Sequence, residues 1–99
     1  MGKINEVLEQ LKKMNPKALI LFGSAAKGEM KEDSDVDVLM IKEMKESFSD
    51  RMRVVRSSLR TNLPLDILVL TPKEAKEFTK KSEFFSQIFK EGNYIYGEV

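Results

Sequence analysis

Apolar residues open the chain at helical spacing. Ile4, Val7, Leu8, Leu11 and Met14 recur three or four positions apart, which predicts an amphipathic helix over about residues 2–14. Asn15-Pro16 closes it, because the residue before a proline is pushed out of the helical region. The rhythm then changes. Residues 18–22, Ala-Leu-Ile-Leu-Phe, form an unbroken apolar run that reads as a buried strand. Gly23-Ser24 follows at once, and Ala25-Ala26-Lys27-Gly28 predicts one or two helical turns closed by Gly28. Residues 29–34 are a polar loop. Residues 35–41, Asp-Val-Asp-Val-Leu-Met-Ile, read as a second strand, whose alternation puts Asp35 and Asp37 on one face and Val36 and Val38 on the other.

The second half keeps the same alternation of elements. Ser47 with Asp50 three residues on marks a helix start, and Phe48, Met52, Val55 and Leu59 trace its core face to about residue 61. Pro64 introduces a third strand over 65–70. Thr71-Pro72-Lys73-Glu74 combines a capping hydroxyl, proline in the first turn and a glutamate that can close a capping box. A short helix to about Phe78 is expected, then another over about 83–91 that carries Phe84, Phe85, Ile88 and Phe89 and stops near Gly92. Tyr94-Ile95-Tyr96 suits a small edge strand. This order predicts one α/β domain over residues 1–99: two layers, a small mixed sheet with helices on one face.

Composition narrows the chemistry. The 99 residues carry 17 Lys plus Arg against 16 Asp plus Glu, a net charge of +1. No strong field argues for unspecific nucleic-acid or membrane binding. No apolar run approaches the length that spans a bilayer, and the N-terminus lacks the apolar core of a signal peptide, so a cytoplasmic location is expected. The chain has neither cysteine nor histidine. The usual general base and the usual zinc ligands are thereby missing, and any base or metal ligand must be a carboxylate.

The aspartates are few and unevenly placed. Of five, Asp33, Asp35 and Asp37 crowd one strand start, and Asp66 interrupts an otherwise apolar strand. Burying a lone carboxylate is costly, so Asp66 calls for a cation. Asp35 and Asp37, joined by Asp66 from a neighbouring strand, would form a three-carboxylate pocket suited to Mg²⁺, a hard cation that takes oxygen ligands. Plainer readings stand beside this one: a solvated strand start for the Asp pair, and a salt bridge to a helix Lys or Arg for Asp66. A calcium loop beginning at Asp33 is excluded, because it needs Gly at its sixth position and Glu at its twelfth, where Val38 and Met44 stand.

Gly23-Ser24 supplies a second half-signal. Glycine lets the backbone approach a phosphate, and the serine hydroxyl with the N–H groups of a helix start can hold phosphate oxygens. Lys27 would add positive charge. The P-loop pattern is absent. If strands 18–22 and 35–41 are antiparallel, Gly23-Ser24 falls beside Asp35 and Asp37. If the helix from residue 48 is a crossover, strand 65–70 lies parallel to strand 35–41 and Asp66 reaches the same end.

Gly23-Ser24-Ala25-Ala26-Lys27-Gly28, followed after five intervening residues by Ser34-Asp35-Val36-Asp37 and by Asp66 on a later strand, resembles the signature of the polymerase-β-like nucleotidyltransferases. In size the chain most resembles the minimal nucleotidyltransferases, often the antitoxin of a two-gene system whose partner is a small helical ribonuclease toxin of the HEPN class. The resemblance implies a polymerase-β-like fold and transfer of AMP from ATP to a tyrosine of the toxin. It implies that Gly23 and Ser24, with Lys27 and Ser34, bind the nucleotide. It further implies that Asp35, Asp37 and Asp66 hold two Mg²⁺ ions, with Asp66 helping to deprotonate the attacking hydroxyl. Related chains often carry Arg within the turn where Ala25 and Lys27 stand here, and Lys lacks the two-pronged grip of Arg.

A second class of function is a binding module: an antitoxin that acts by contact, with or without bound nucleotide. Phe84, Phe85, Ile88, Phe89, Tyr94 and Tyr96 would supply its interface, or they simply cover the sheet. Arg51, Arg53, Arg56 and Arg60 cluster on one helix, where a solvated face or partner contact is the expected role, and direct nucleic-acid binding is not expected.

Overall fold

The computed structural model describes residues 2–23 and 36–98. Its elements are α1 (Gly2–Lys12), β1 (Ala18–Phe22), β2 (Val36–Ile41), α2 (Phe48–Ser57), β3 (Leu65–Leu70), α3 (Pro72–Lys81), α4 (Glu83–Glu91) and β4 (Asn93–Gly97). Both predicted central strands and the β3 and α4 boundaries agree closely with the apolar rhythm. The helical turns expected at 24–28 and the loop at 29–34 lie outside the described residues. After α1 the chain turns at Asn15, whose φ of 57° is a left-handed conformation that asparagine tolerates better than most side chains.

The four strands form one mixed sheet in the order β3-β2-β1-β4. β1 runs antiparallel to β2 and to β4, whereas β2 and β3 are parallel. The parallel pair requires a crossover, and α2 provides it. This order makes β1 and β2 interior strands and leaves β3 and β4 at the edges.

The helices lie on both faces of the sheet, a correction to the expected single layer. On one face, Val7 and Leu11 of α1 and Val55 of α2 pack with Leu19, Val38 and Val69. On the other, Ala75 of α3 and Ile88 of α4 pack with Ile20, Leu39 and Leu70. Two-sided burial explains why β1 reads as an apolar run and not as an alternation. Each fully buried aliphatic side chain contributes about 1.5–3 kcal/mol, so the two modest cores act together.

α2 departs from its expected face. Phe48 stays 38% exposed, whereas Arg51, only 4% exposed, is buried. The Arg51 Nε donates to the Val69 carbonyl at 3.1 Å, Nη1 donates to the Glu46 carbonyl at 2.8 Å, and Nη2 donates to Glu74 Oε1. Glu74 also accepts from the Thr71 N–H, while the Thr71 hydroxyl accepts from the Glu74 N–H, so the predicted capping box forms. Arg51 therefore ties α2, β3 and the start of α3 together. Arg53, Arg56 and Arg60 face solvent, as expected of that helix. α2 ends at Ser57, earlier than its apolar spacing suggests, where the Ser57 and Ser58 hydroxyls both donate to the Val54 carbonyl.

Candidate active site

Strand register brings the candidate residues together. Phe22, the last residue of β1, pairs with Asp37 of β2, and Asp37 pairs with Asp66 of β3. Gly23 thus follows β1 at the level of both aspartates. Neighbouring strands lie about 4.8 Å apart, and register partners point to the same side, so two carboxylates stand side by side at one end of the sheet. Their flanking residues Val36, Val38, Leu65 and Ile67 point to the opposite face, into the α1–α2 core.

Gly23 is required by its surroundings. Its φ is +67°, and a Cβ added there would sit 2.5 Å from Asp37 Oδ2. A side chain at this position would meet both an unfavourable backbone conformation and the carboxylate it must leave room for. The glycine expected to admit a phosphate therefore also frames an aspartate.

Asp66 differs from expectation in one respect. It is exposed, not buried. β3 is an edge strand, and residue 66 lies at the end remote from α3, so none of the described helices covers it. Burial cost therefore gives no reason to place a cation there. A different reason replaces it: two like charges held as direct register partners repel, and a shared cation removes that repulsion. Among the described residues no ion pair to Lys or Arg is formed by Asp66, so the salt-bridge alternative has no support among them. Asp35, Ser24, Lys27 and Ser34 lie outside the described residues. The donor chemistry of Asp37 and Asp66, two hard oxygen ligands side by side, fits Mg²⁺.

Beside Gly23 a cavity of about 240 Å³ opens between the end of β1 and α4, with Phe22, Phe84, Gln87, Ile88 and Glu91 on its walls. Gly92 sets that approach: a Cβ there would lie 2.5 Å from Ile20 Cγ2. The aromatics of α4, grouped together by sequence, divide in space. Phe85 and Phe89 pack on the core, whereas Phe84 remains 54% exposed. Gln87 escaped sequence analysis altogether. The available signal was its spacing, since Phe84, Gln87 and Glu91 fall at i, i+3 and i+7 on one stripe of α4.

A small mixed sheet that gathers a post-strand glycine and in-register aspartates at one end defines the polymerase-β-like nucleotidyltransferase class of fold. The chain belongs to the family described as Polymerase beta, Nucleotidyltransferase, whose pattern matches residues 2–98. It is 37% identical over 51 residues to a Methanocaldococcus jannaschii protein provisionally named a protein adenylyltransferase. That stretch covers 52% of this chain and 52% of the relative, so the chain spans about half the length of the curated relative it matches. Two solved structures share the fold, each with a TM-score of 0.58. One is a provisionally named nucleotidyltransferase from Sulfolobus solfataricus, 23% identical, with 76% of this chain and 72% of that chain covered. The other is a toxin–antitoxin crystallised with AMP-PNP, 19% identical, with 94% and 72% covered. Among the described residues no helix is long and apolar enough to cross a membrane.

Proposed function

We propose that this chain is a Mg²⁺-dependent nucleotidyltransferase that moves a nucleoside monophosphate, AMP from ATP, onto a protein hydroxyl. The observation that carries the reading is the register Phe22–Asp37–Asp66, which sets two carboxylates beside Gly23. The named activity of the Methanocaldococcus jannaschii relative and the AMP-PNP bound by the toxin–antitoxin neighbour support the choice of nucleotide and acceptor.

In this reading Gly23 and Ser24 hold the triphosphate, Lys27 adds positive charge, and Ser34 flanks the acidic pair. Asp35, Asp37 and Asp66 hold Mg²⁺, two ions as in the family the motif resembles. Bound there, Mg²⁺ supplies charge stabilisation to the phosphates and the departing pyrophosphate. Asp66 takes the proton of the attacking hydroxyl as its oxygen bonds to the α-phosphorus, and the bond to pyrophosphate breaks in line. The absence of histidine is compatible with this chemistry, since a carboxylate manages the proton. The partner is read as a small helical toxin of the HEPN class, with a tyrosine as acceptor.

The test is to incubate the chain with α-labelled ATP, Mg²⁺ and a small helical protein of the HEPN class as candidate partner. Label should enter that protein and be lost with a chelator or with Asp37→Asn. Absence of label in any partner, or undiminished transfer by Asp37→Asn, sinks the reading. A second reading, a non-catalytic antitoxin that works by contact, is favoured by the exposed rings of Phe84, Tyr94 and Tyr96. It predicts that Asp37→Asn still protects cells from the partner.

A further inference from the structure

The cavity beside Gly23 has chemistry that the carboxylates do not use. Its α4 wall presents one ring and two hydrogen-bonding groups on a single stripe: Phe84, Gln87 and Glu91. Phe84 is held in place by edge contacts, with its ring 6.0 Å from that of Phe22 at 89° and 5.1 Å from that of Phe85 at 79°. More than half of it is nevertheless exposed. A large ring left open on a helix whose other aromatics pack inward has no role in the core. At about 240 Å³ the cavity lies below the roughly 300–1,000 Å³ of sites that enclose a drug-sized ligand. It has room for one fused ring system, with the rest of such a ligand lying outside, along Gly23.

We propose that this cavity is a nucleobase site, in which an adenine stacks on Phe84 and is read at its edge by Gln87 and Glu91. The proposal rests on the nucleotidyltransferase reading and deepens it by assigning base selection to α4. Aromatic rings stack with any base, so Phe84 supplies affinity. The amide of Gln87 both donates and accepts, which matches the adjacent N6 amine and ring-nitrogen acceptor of adenine. The Glu91 carboxylate only accepts, so it favours the N6 amine of adenine over the O6 of guanine. Gly92 holds the end of α4 against β1 and thereby keeps this stripe beside Gly23.

Calorimetric titration of the full chain in Mg²⁺ tests the assignment with three probes: AMP-PNP, GMP-PNP and tripolyphosphate, which has no base. Phe84→Ala should weaken AMP-PNP roughly 5- to 150-fold, the range expected for one stacked base, and leave tripolyphosphate unchanged. Phe84→Leu, which keeps apolar volume without a ring, should behave alike. Gln87→Ala should narrow the preference for AMP-PNP over GMP-PNP. If Phe84→Ala binds AMP-PNP as the parent does, or loses AMP-PNP and tripolyphosphate equally, the base-site assignment is overturned. If tripolyphosphate binds in an Asp37-dependent manner while the α4 variants change nothing, only this inference falls. If the parent chain binds no AMP-PNP at all, the nucleotidyltransferase reading falls with it.

Discussion

Carboxylates occupy both ends of the sheet, in opposite circumstances. At the end where β3 runs into α3, Glu74 is matched: it accepts from Arg51 and from the Thr71 N–H, and Arg51 is satisfied in turn by two carbonyls. At the end where β2 and β3 begin, Asp37 and Asp66 are set in register with each other. The first arrangement completes itself within the fold. The second places like charges side by side and leaves Asp66 open to solvent. Glu74 thus serves the architecture, whereas the proposed function gives Asp37 and Asp66 a cation and its nucleotide to hold.

The contrast can be broken most sharply at the open end. Asp37→Asn or Asp66→Asn should lower transfer about 10³-fold, since a lost cation site removes several kcal/mol of charge stabilisation. Circular dichroism of the same variants should show the fold intact. Loss of the fold would place these aspartates with Glu74 as structural residues.

The matched end should respond the other way. Arg51→Ala should cost about 3 kcal/mol, at the low end for removing one partner of a buried pair, because Glu74 keeps some contact with water. For a domain of this size that is roughly 12–24 °C in melting temperature. AMP-PNP affinity of the folded fraction should be unchanged. A variant that melts like the parent would show the Arg51 network to be dispensable.

Gly23 links architecture to site, so its variant should show both effects on a smaller scale. Gly23→Ala should cost about 1–2 kcal/mol for an L-residue in the left-handed region. It should also weaken AMP-PNP binding, because the new Cβ displaces Asp37. Unaltered binding would separate the turn from the aspartate.

The smallest effect is in pH. Partial burial raises the Glu74 carboxyl, but the Thr71 N–H and the Arg51 guanidinium outweigh it and hold the group below its ordinary value. A depressed carboxyl contributes stability that is fully present above its unfolded value, about 4.3, and lost as pH falls through its folded value. Melting temperature should therefore fall on the acid side of that value, and Glu74→Gln should flatten the fall. An unchanged acid limb in Glu74→Gln would assign it to other carboxylates.

Much of this architecture was legible because local signals agreed. The apolar run at 18–22 and the alternation at 35–41 each named a strand, and the Thr71–Glu74 box named the start of α3, which runs on to Lys81, past the expected Phe78. The antiparallel and parallel pairings were conditions on which the sequence reading turned, and the sheet meets both, bringing Gly23, Asp37 and Asp66 to one end. What escaped depends on position across the sheet. Asp66 reads as buried from its neighbours Leu65 and Ile67, but those lie on the other face, and only strand order reveals that β3 is an edge. Arg51 reads as one of four surface arginines, because its acceptors Val69, Glu46 and Glu74 come from segments that sequence spacing does not bring together. The second helical layer was implicit in the unbroken apolar run of β1, which only two-sided burial explains.

The central claim is that Asp37 and Asp66 stand together in order to share a cation beside a nucleotide. Thermal melting of Asp66→Asn, with and without Mg²⁺ and AMP-PNP, tests it most directly. Without ligand the variant should melt at or slightly above the parent, since a like-charge repulsion has been removed. At a ligand concentration about 100 times its Kd the parent should gain about 2.7 kcal/mol, and the variant should gain almost nothing. Equal stabilisation of both proteins by Mg²⁺ and AMP-PNP would contradict the account.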